Sequence, residues 1–118
     1  MKTNVKFVDW GELKKNHDAD KTVVVKENEF IQGVVQNIKT HDVFGYTYKL
    51  SVKDIEEDVM IMGNRSLNKQ FMGEGLEGKE LEMFTPVEVG DEVKITYHGM
   101  YKTESGGKGY SLEVEVNR

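Results

Sequence analysis

Two alternating runs near the C-terminal end constrain this chain most. Val93, Ile95 and Tyr97 alternate with Lys94, Thr96 and His98, and Tyr110, Leu112, Val114 and Val116 alternate with Ser111, Glu113, Glu115 and Asn117. A period of two puts one set of side chains on each face of an extended segment, so each run reads as a half-buried strand. Gly90-Asp91 is a turn signal ahead of the first run. The tip between the runs, Glu104 to Gly109, carries three glycines, whose backbone freedom works against a regular strand. The stretch from Val87 to Val116 is therefore a β-hairpin with a long polar tip.

The same period appears upstream. Lys21 to Lys39 is β-rich, and Gly33 inside it marks a bulge or bend of the kind that lets a strand curve round a small barrel. Phe44, Tyr46, Tyr48, Leu50 and Val52 alternate with small and polar residues, giving an aromatic-rich strand. Asp54 to Asp58 is a charged turn whose spacing lacks the glycine and terminal glutamate of a calcium loop. Val59 to Met62 is a short apolar strand stopped by Gly63-Asn64. From there the period of two is lost. Ser66 can cap a short helix with Leu67 and Phe71 on one face.

This order predicts an all-β fold with a small helix: a five-stranded Greek-key barrel of the oligonucleotide/oligosaccharide-binding (OB) type, with a short helix or loop between strands three and four. Residues 1–118 form a single domain, residues 1–20 a polar lead-in, and residues 73–84 a mobile, Gly-punctuated loop. In the lead-in Asp9 can cap a brief turn, and Trp10 and Phe7 seal one end of the core.

Composition removes several function classes. A chain of 118 residues can close one core unaided, and with no cysteine it has no disulfide, thiol nucleophile or thiolate metal site. His17, His41 and His98 lie far apart, in no metal-ligand spacing. Gly73-x-Gly75-x-x-Gly78 has the letters of a dinucleotide fingerprint, but no strand precedes it and Glu74 and Glu77 would repel a pyrophosphate. The expectation is a non-enzyme without a cofactor. No signal peptide or membrane span is evident, which points to the cytoplasm.

The net charge of −5 counts against a nucleic-acid binder, yet its distribution is uneven. Acids gather between Lys53 and Glu92, leaving room for a basic groove elsewhere. Single strands are bound by aromatic rings that stack on bases within a groove supplying cations to phosphates. Candidates are Lys39 and His41 in the first connection, Phe44, Tyr46 and Lys49 on the second strand, and Lys94, His98, Tyr101, Lys102 and Lys108 on the closing hairpin. Tyr97 and Tyr110 fall in phase with core positions.

Val89-Gly90-Asp91-Glu92-Val93-Lys94-Ile95-Thr96-Tyr97-x-Gly99, a Gly-rich turn and Tyr110-x-Leu112-x-Val114 together resemble small phage-encoded proteins of the OB type. Phe44-Gly45-x-x-Tyr48-x-Leu50, Gly63-Asn64-x-x-Leu67 and Trp10-Gly11-Glu12-Leu13 fit the same picture. The resemblance implies single-stranded DNA or RNA as ligand, a replication or recombination protein as partner, and a place in the host-cell cytoplasm. The alternative is an OB-like interaction module whose acidic surface, mimicking nucleic acid, docks on a host or phage protein.

Overall fold

The computed structural model describes residues 5–102 and 104–117. The first four residues, Thr103 and Arg118 lie outside that set. Seven strands form one sheet: β1 (Val5–Trp10), β2 (Thr22–Val25), β3 (Phe30–His41), β4 (Gly45–Val52), β5 (Asp58–Met62), β6 (Glu92–Lys102) and β7 (Lys108–Asn117). Their spatial order is β2-β1-β5-β4-β3-β6-β7. Two helices, α1 (Arg65–Met72) and α2 (Gly78–Met83), separate β5 from β6. Among the described residues no helix is long and apolar enough to cross a membrane.

The long central strand is β3, which pairs antiparallel with β6 through Phe30–Val34 and with β4 from Gly33 to His41. Gly33 lies where both partners overlap, and a Cβ there would stand 2.5 Å from the Ser51 carbonyl oxygen, so only glycine allows that approach. The bulge comes slightly later than the sequence pattern places it, between Val35 and Asn37. It advances the phase by one residue, so that Val35 and Ile38 both turn toward the core.

The sheet curls. Trp10 on β1 and Tyr97 on β6 are well separated in strand order, yet their ring centroids are 5.9 Å apart. The β2–β3 connection extends the β3–β6 pairing, with the Asn28 amide donating to the Tyr97 carbonyl at 2.6 Å and the Tyr97 amide to that of Glu29 at 3.0 Å. Inside lie Tyr48, Leu50, Val35, Val59, Ile61, Val93 and Ile95, all fully buried. Each lies on the core-facing side of its strand, and burying that one sheet face organises the whole domain.

The all-β, barrel-like expectation holds, but the strand count is seven, not five. Part of the lead-in joins the sheet as a strand. Val5–Trp10 runs parallel to both β5 and β2, with Phe7 opposite Met60 and Trp10 opposite Val25. Trp10 is buried and seals the core, whereas Phe7 stays 38 % exposed.

Helix α1 covers the remaining side. Its cap is Asn64, whose side-chain oxygen accepts from the Leu67 amide at 2.8 Å. Ser66 does not cap; its hydroxyl donates to the Leu112 carbonyl. Gly73 ends the helix in the left-handed conformation that favours glycine. Leu67 and Phe71, one turn apart, are fully buried, and Phe71 meets the Tyr48 ring edge-on with centroids 4.6 Å apart. Within the segment expected to be a loop, residues 78–83 form α2, with Leu81 and Met83 exposed.

Candidate nucleic-acid interface

Strand register places each expected contact. Lys49 lies opposite Asn37, and Lys39 opposite Thr47, on the sheet face away from Tyr46, Tyr48 and Leu50. Lys94, His98 and Tyr101 take that same outer face further along the sheet. Carboxylates accompany two of these groups: Lys94 Nζ is 3.9 Å from Glu115, and His98 Nε2 is 2.7 Å from Glu113. Lys94 also stands over the Phe30 ring at 4.4 Å. Tyr101 covers Gly109, where a Cβ would meet its ring at 2.6 Å. Tyr46 is half-buried beside Tyr48, with centroids 6.2 Å apart.

Lys102 and Lys108 stand elsewhere. They are directly opposite one another on β6 and β7, in phase with the Met100–Tyr110 pair and hence on the face that continues the core. Both are exposed, and Met100 beside them is 53 % exposed. Lys14, from the connection after β1, adds a third cation, its Nζ 5.4 Å from the centre of the Tyr110 ring. A hydrogen bond to the Tyr110 hydroxyl is the chief cause raising the Lys14 pKa above its ordinary value, with burial pulling the other way.

This basic face adjoins a cavity of about 670 Å³. Phe44 enters it from the β3–β4 loop and Tyr110 from the hairpin, while Phe7 and Trp10 line it from β1. Lys14, Asn16, His17, Asp18 and Lys21 line it from the connection between β1 and β2. Asp9, 5 % exposed, fixes that connection in place: its carboxylate accepts from the Lys14 amide at 3.1 Å and contacts His17 Nδ1 at 2.8 Å. The role foreseen for Asp9 as a local cap is thus wider, since it ties down a loop of several residues.

The Phe44 loop is equally constrained. His41 Nδ1 accepts from the Val43 and Phe44 amides at 3.0 and 3.2 Å, and the His41 and Phe44 rings lie 4.8 Å apart. His41 therefore positions Phe44. The Phe44 carbonyl in turn accepts from Asn68 Nδ2 at 2.8 Å. Among the described residues no group of three or more His, Cys, Asp and Glu side chains is disposed to hold a metal ion.

Of the expected site residues, then, Phe44 lines the cavity with His41 in support, while Lys102 and Lys108 pair on the hairpin face that carries Tyr110 to the cavity wall. Lys39, Lys49, Lys94, His98 and Tyr101 lie on the other face. Sequence reasoning missed Phe7, Trp10, Lys14, His17 and Lys21 as wall residues. The spacing of Asp9 and His17 around a short polar segment is the one local signal that could have pointed to them. Comparison with protein-family models, curated proteins and solved structures gives no match.

Proposed function

We propose that this protein binds single-stranded nucleic acid without catalysis, along the face formed by Lys14, Lys102, Lys108 and Tyr110 and the mouth of the adjoining aromatic cavity. The observation that carries the reading is the opposition of Lys102 and Lys108. Like charges directly across a strand pair destabilise it, and a phosphate between them removes that penalty. Phe44 and Tyr110, at the cavity wall, supply the flat apolar surfaces on which bases stack.

The fold supports an OB interpretation at a finer level. From β3 to β7, the first strand is central and pairs with the second and fourth, and α1 lies between the third and fourth. In that frame β1 and β2 are additions to a five-stranded barrel, and replication or recombination is the setting in which such a binder would act.

A polarisation titration with fluorescent oligo-dT and oligo-rU at low salt tests the proposal. Binding is expected, with affinity falling steeply as salt rises because counterions are released from neutralised phosphates. Replacing both Lys102 and Lys108 with Glu should flatten the log–log salt slope by about 2. No binding of either strand at low salt overturns the reading. A protein-docking module is the second reading, favoured by Leu81 and Met83, exposed on α2 beside Glu80 and Glu82. A basic partner retained by the wild type and lost with Leu81→Glu would support it.

A further inference from the structure

We infer that the cavity between β1, the connection to β2, Phe44 and Tyr110 is a pocket for one nucleotide, taking a single base inside and leaving its phosphate at the rim. The inference draws its ligand chemistry from the strand-binding proposal, but its geometry is separate. A groove that serves a continuous strand is open at both ends. Here the segment from Gly11 to Thr22 folds across the site, so that most of the wall comes from chain outside the five-stranded core.

That segment is tied down by part-buried hydrogen bonds. The Gly11 amide donates to the Val25 carbonyl at 2.7 Å, and Asp9 engages both the Lys14 amide and His17. The pocket is therefore formed before a ligand arrives, which lowers the ordering cost of binding. Four rings from three parts of the chain surround it, and its volume falls within the range of small-ligand sites.

The polar groups are few and placed at intervals, as they are in sites that orient a planar ligand. With His17 Nδ1 on Asp9, Nε2 is the ring's remaining polar atom, and Asn16 and Thr22 stand on the same wall. Lys14 and Lys21 offer cations to a phosphate. Asp18, also in the wall, uses its carboxylate to accept from the Asp20 amide at 2.9 Å.

Trp10 is the chain's only tryptophan and lines the pocket, so its fluorescence reports occupancy directly. The experiment follows Trp10 emission and fluorescein polarisation in parallel, titrating oligo-dT, dTMP and dAMP. Saturable quenching of Trp10 by the mononucleotides and by the strand is expected, and quenching by the strand alone would assign the pocket to a nucleotide within a chain rather than a free one. Phe44→Ala should raise the half-saturating concentration about tenfold. His17→Ala, at a side chain 48 % exposed, gives a second variant outside the apolar core and should weaken the quenching by mononucleotides. Strand binding with Trp10 emission unchanged overturns the pocket and leaves the strand reading standing. Quenching by mononucleotides without strand binding does the reverse, and no response in either channel removes both.

Discussion

The Tyr48 hydroxyl donates a 2.7 Å hydrogen bond to Asn68 Oδ1 in the fully buried centre of the domain. Through its other amide atom Asn68 holds the Phe44 carbonyl, so one side chain connects the core to the loop that lines the cavity. Gly63 makes room for it, since a Cβ there would collide with Asn68 Oδ1 and the carbonyls of Tyr46 and Phe44.

This relay predicts coupling. Asn68→Ala strands a buried hydroxyl and the Phe44 carbonyl, and should cost about 1–3 kcal/mol in urea unfolding. Tyr48→Phe removes the donor but keeps the ring packed on Phe71, and should cost about 1 kcal/mol. The double variant should lose less than the sum, because the second change removes a group already stranded. Strict additivity would show that the two residues act separately.

Tyr48 also makes alkaline stability predictable. Burial is the main cause lifting its phenol above the ordinary value of 10.0, with Tyr46 and Glu74 adding charge repulsion. A raised folded-state pKa means its stabilisation is complete below pH 10 and declines as pH climbs from there toward the folded value. Tyr97 is raised in the same sense, again chiefly by burial. Urea midpoints measured between about pH 8 and about pH 11 should therefore fall at the alkaline end. Tyr48→Phe should fall less steeply. Equal slopes in both proteins would assign the alkaline loss to other groups.

β3, β4, β6 and β7 were legible because each is amphipathic, and a period of two survives any change of partner; β5 was legible as a short apolar run stopped by Gly63-Asn64. β1 was not. Val5 to Trp10 puts Lys6 in register with Val59, where it bridges to Glu57, and buries Asp9 against His17. Both polar residues break the alternation, and parallel pairing with β5 depends on chain some fifty residues away. The Phe44 contribution was legible from its place at the end of the aromatic run, although the strand itself begins one residue later, at Gly45. On the outer face Glu115 stands beside Lys94 and Glu113 beside His98, a match only cross-strand pairing reveals. The lysine pair at 102 and 108 was named from charge alone, and its shared face with Tyr110 follows from the irregularity between Tyr97 and Met100.

Gln70 protects a sheet edge. Its amide nitrogen donates to the Leu112 carbonyl at 2.6 Å and its oxygen accepts from the Val114 amide at 3.0 Å, in the manner of a neighbouring strand. β7 is the last strand of the sheet, and an uncovered edge is a template for association. Gln70→Ala should cost about 1–2 kcal/mol and raise hydrogen exchange at Val114 relative to amides of β4. Unchanged protection at Val114 would mean the helix shields it by packing alone.

Gly33→Ala tests the curvature of β3. The added methyl would press on the Ser51 backbone, which cannot swing aside as a side chain could. Overpacking of this kind costs about 1–3 kcal/mol. Gly75→Ala, at φ 88° with open space around the position, strains only its own backbone and should cost less. Thermal melts of the two variants should rank in that order, and the reverse would place the constraint at the α1–α2 turn.

The opposition of Lys102 and Lys108 gives the most discriminating prediction, because stability and binding should move in opposite directions. Without ligand, Lys108→Glu turns a repulsive cross-strand pair into an attractive one and should stabilise the hairpin by about 0.2–1 kcal/mol. With a single strand present, the same change removes one phosphate contact and adds a repulsive charge, so affinity at low salt should fall and the salt slope should shrink by about 1. Lys39→Glu, on the outer face, should alter neither by a comparable amount. A Lys108→Glu protein that is less stable and binds as tightly as the wild type would show that the lysine pair serves the hairpin itself. The aromatic cavity would then remain as the sole feature pointing to a ligand.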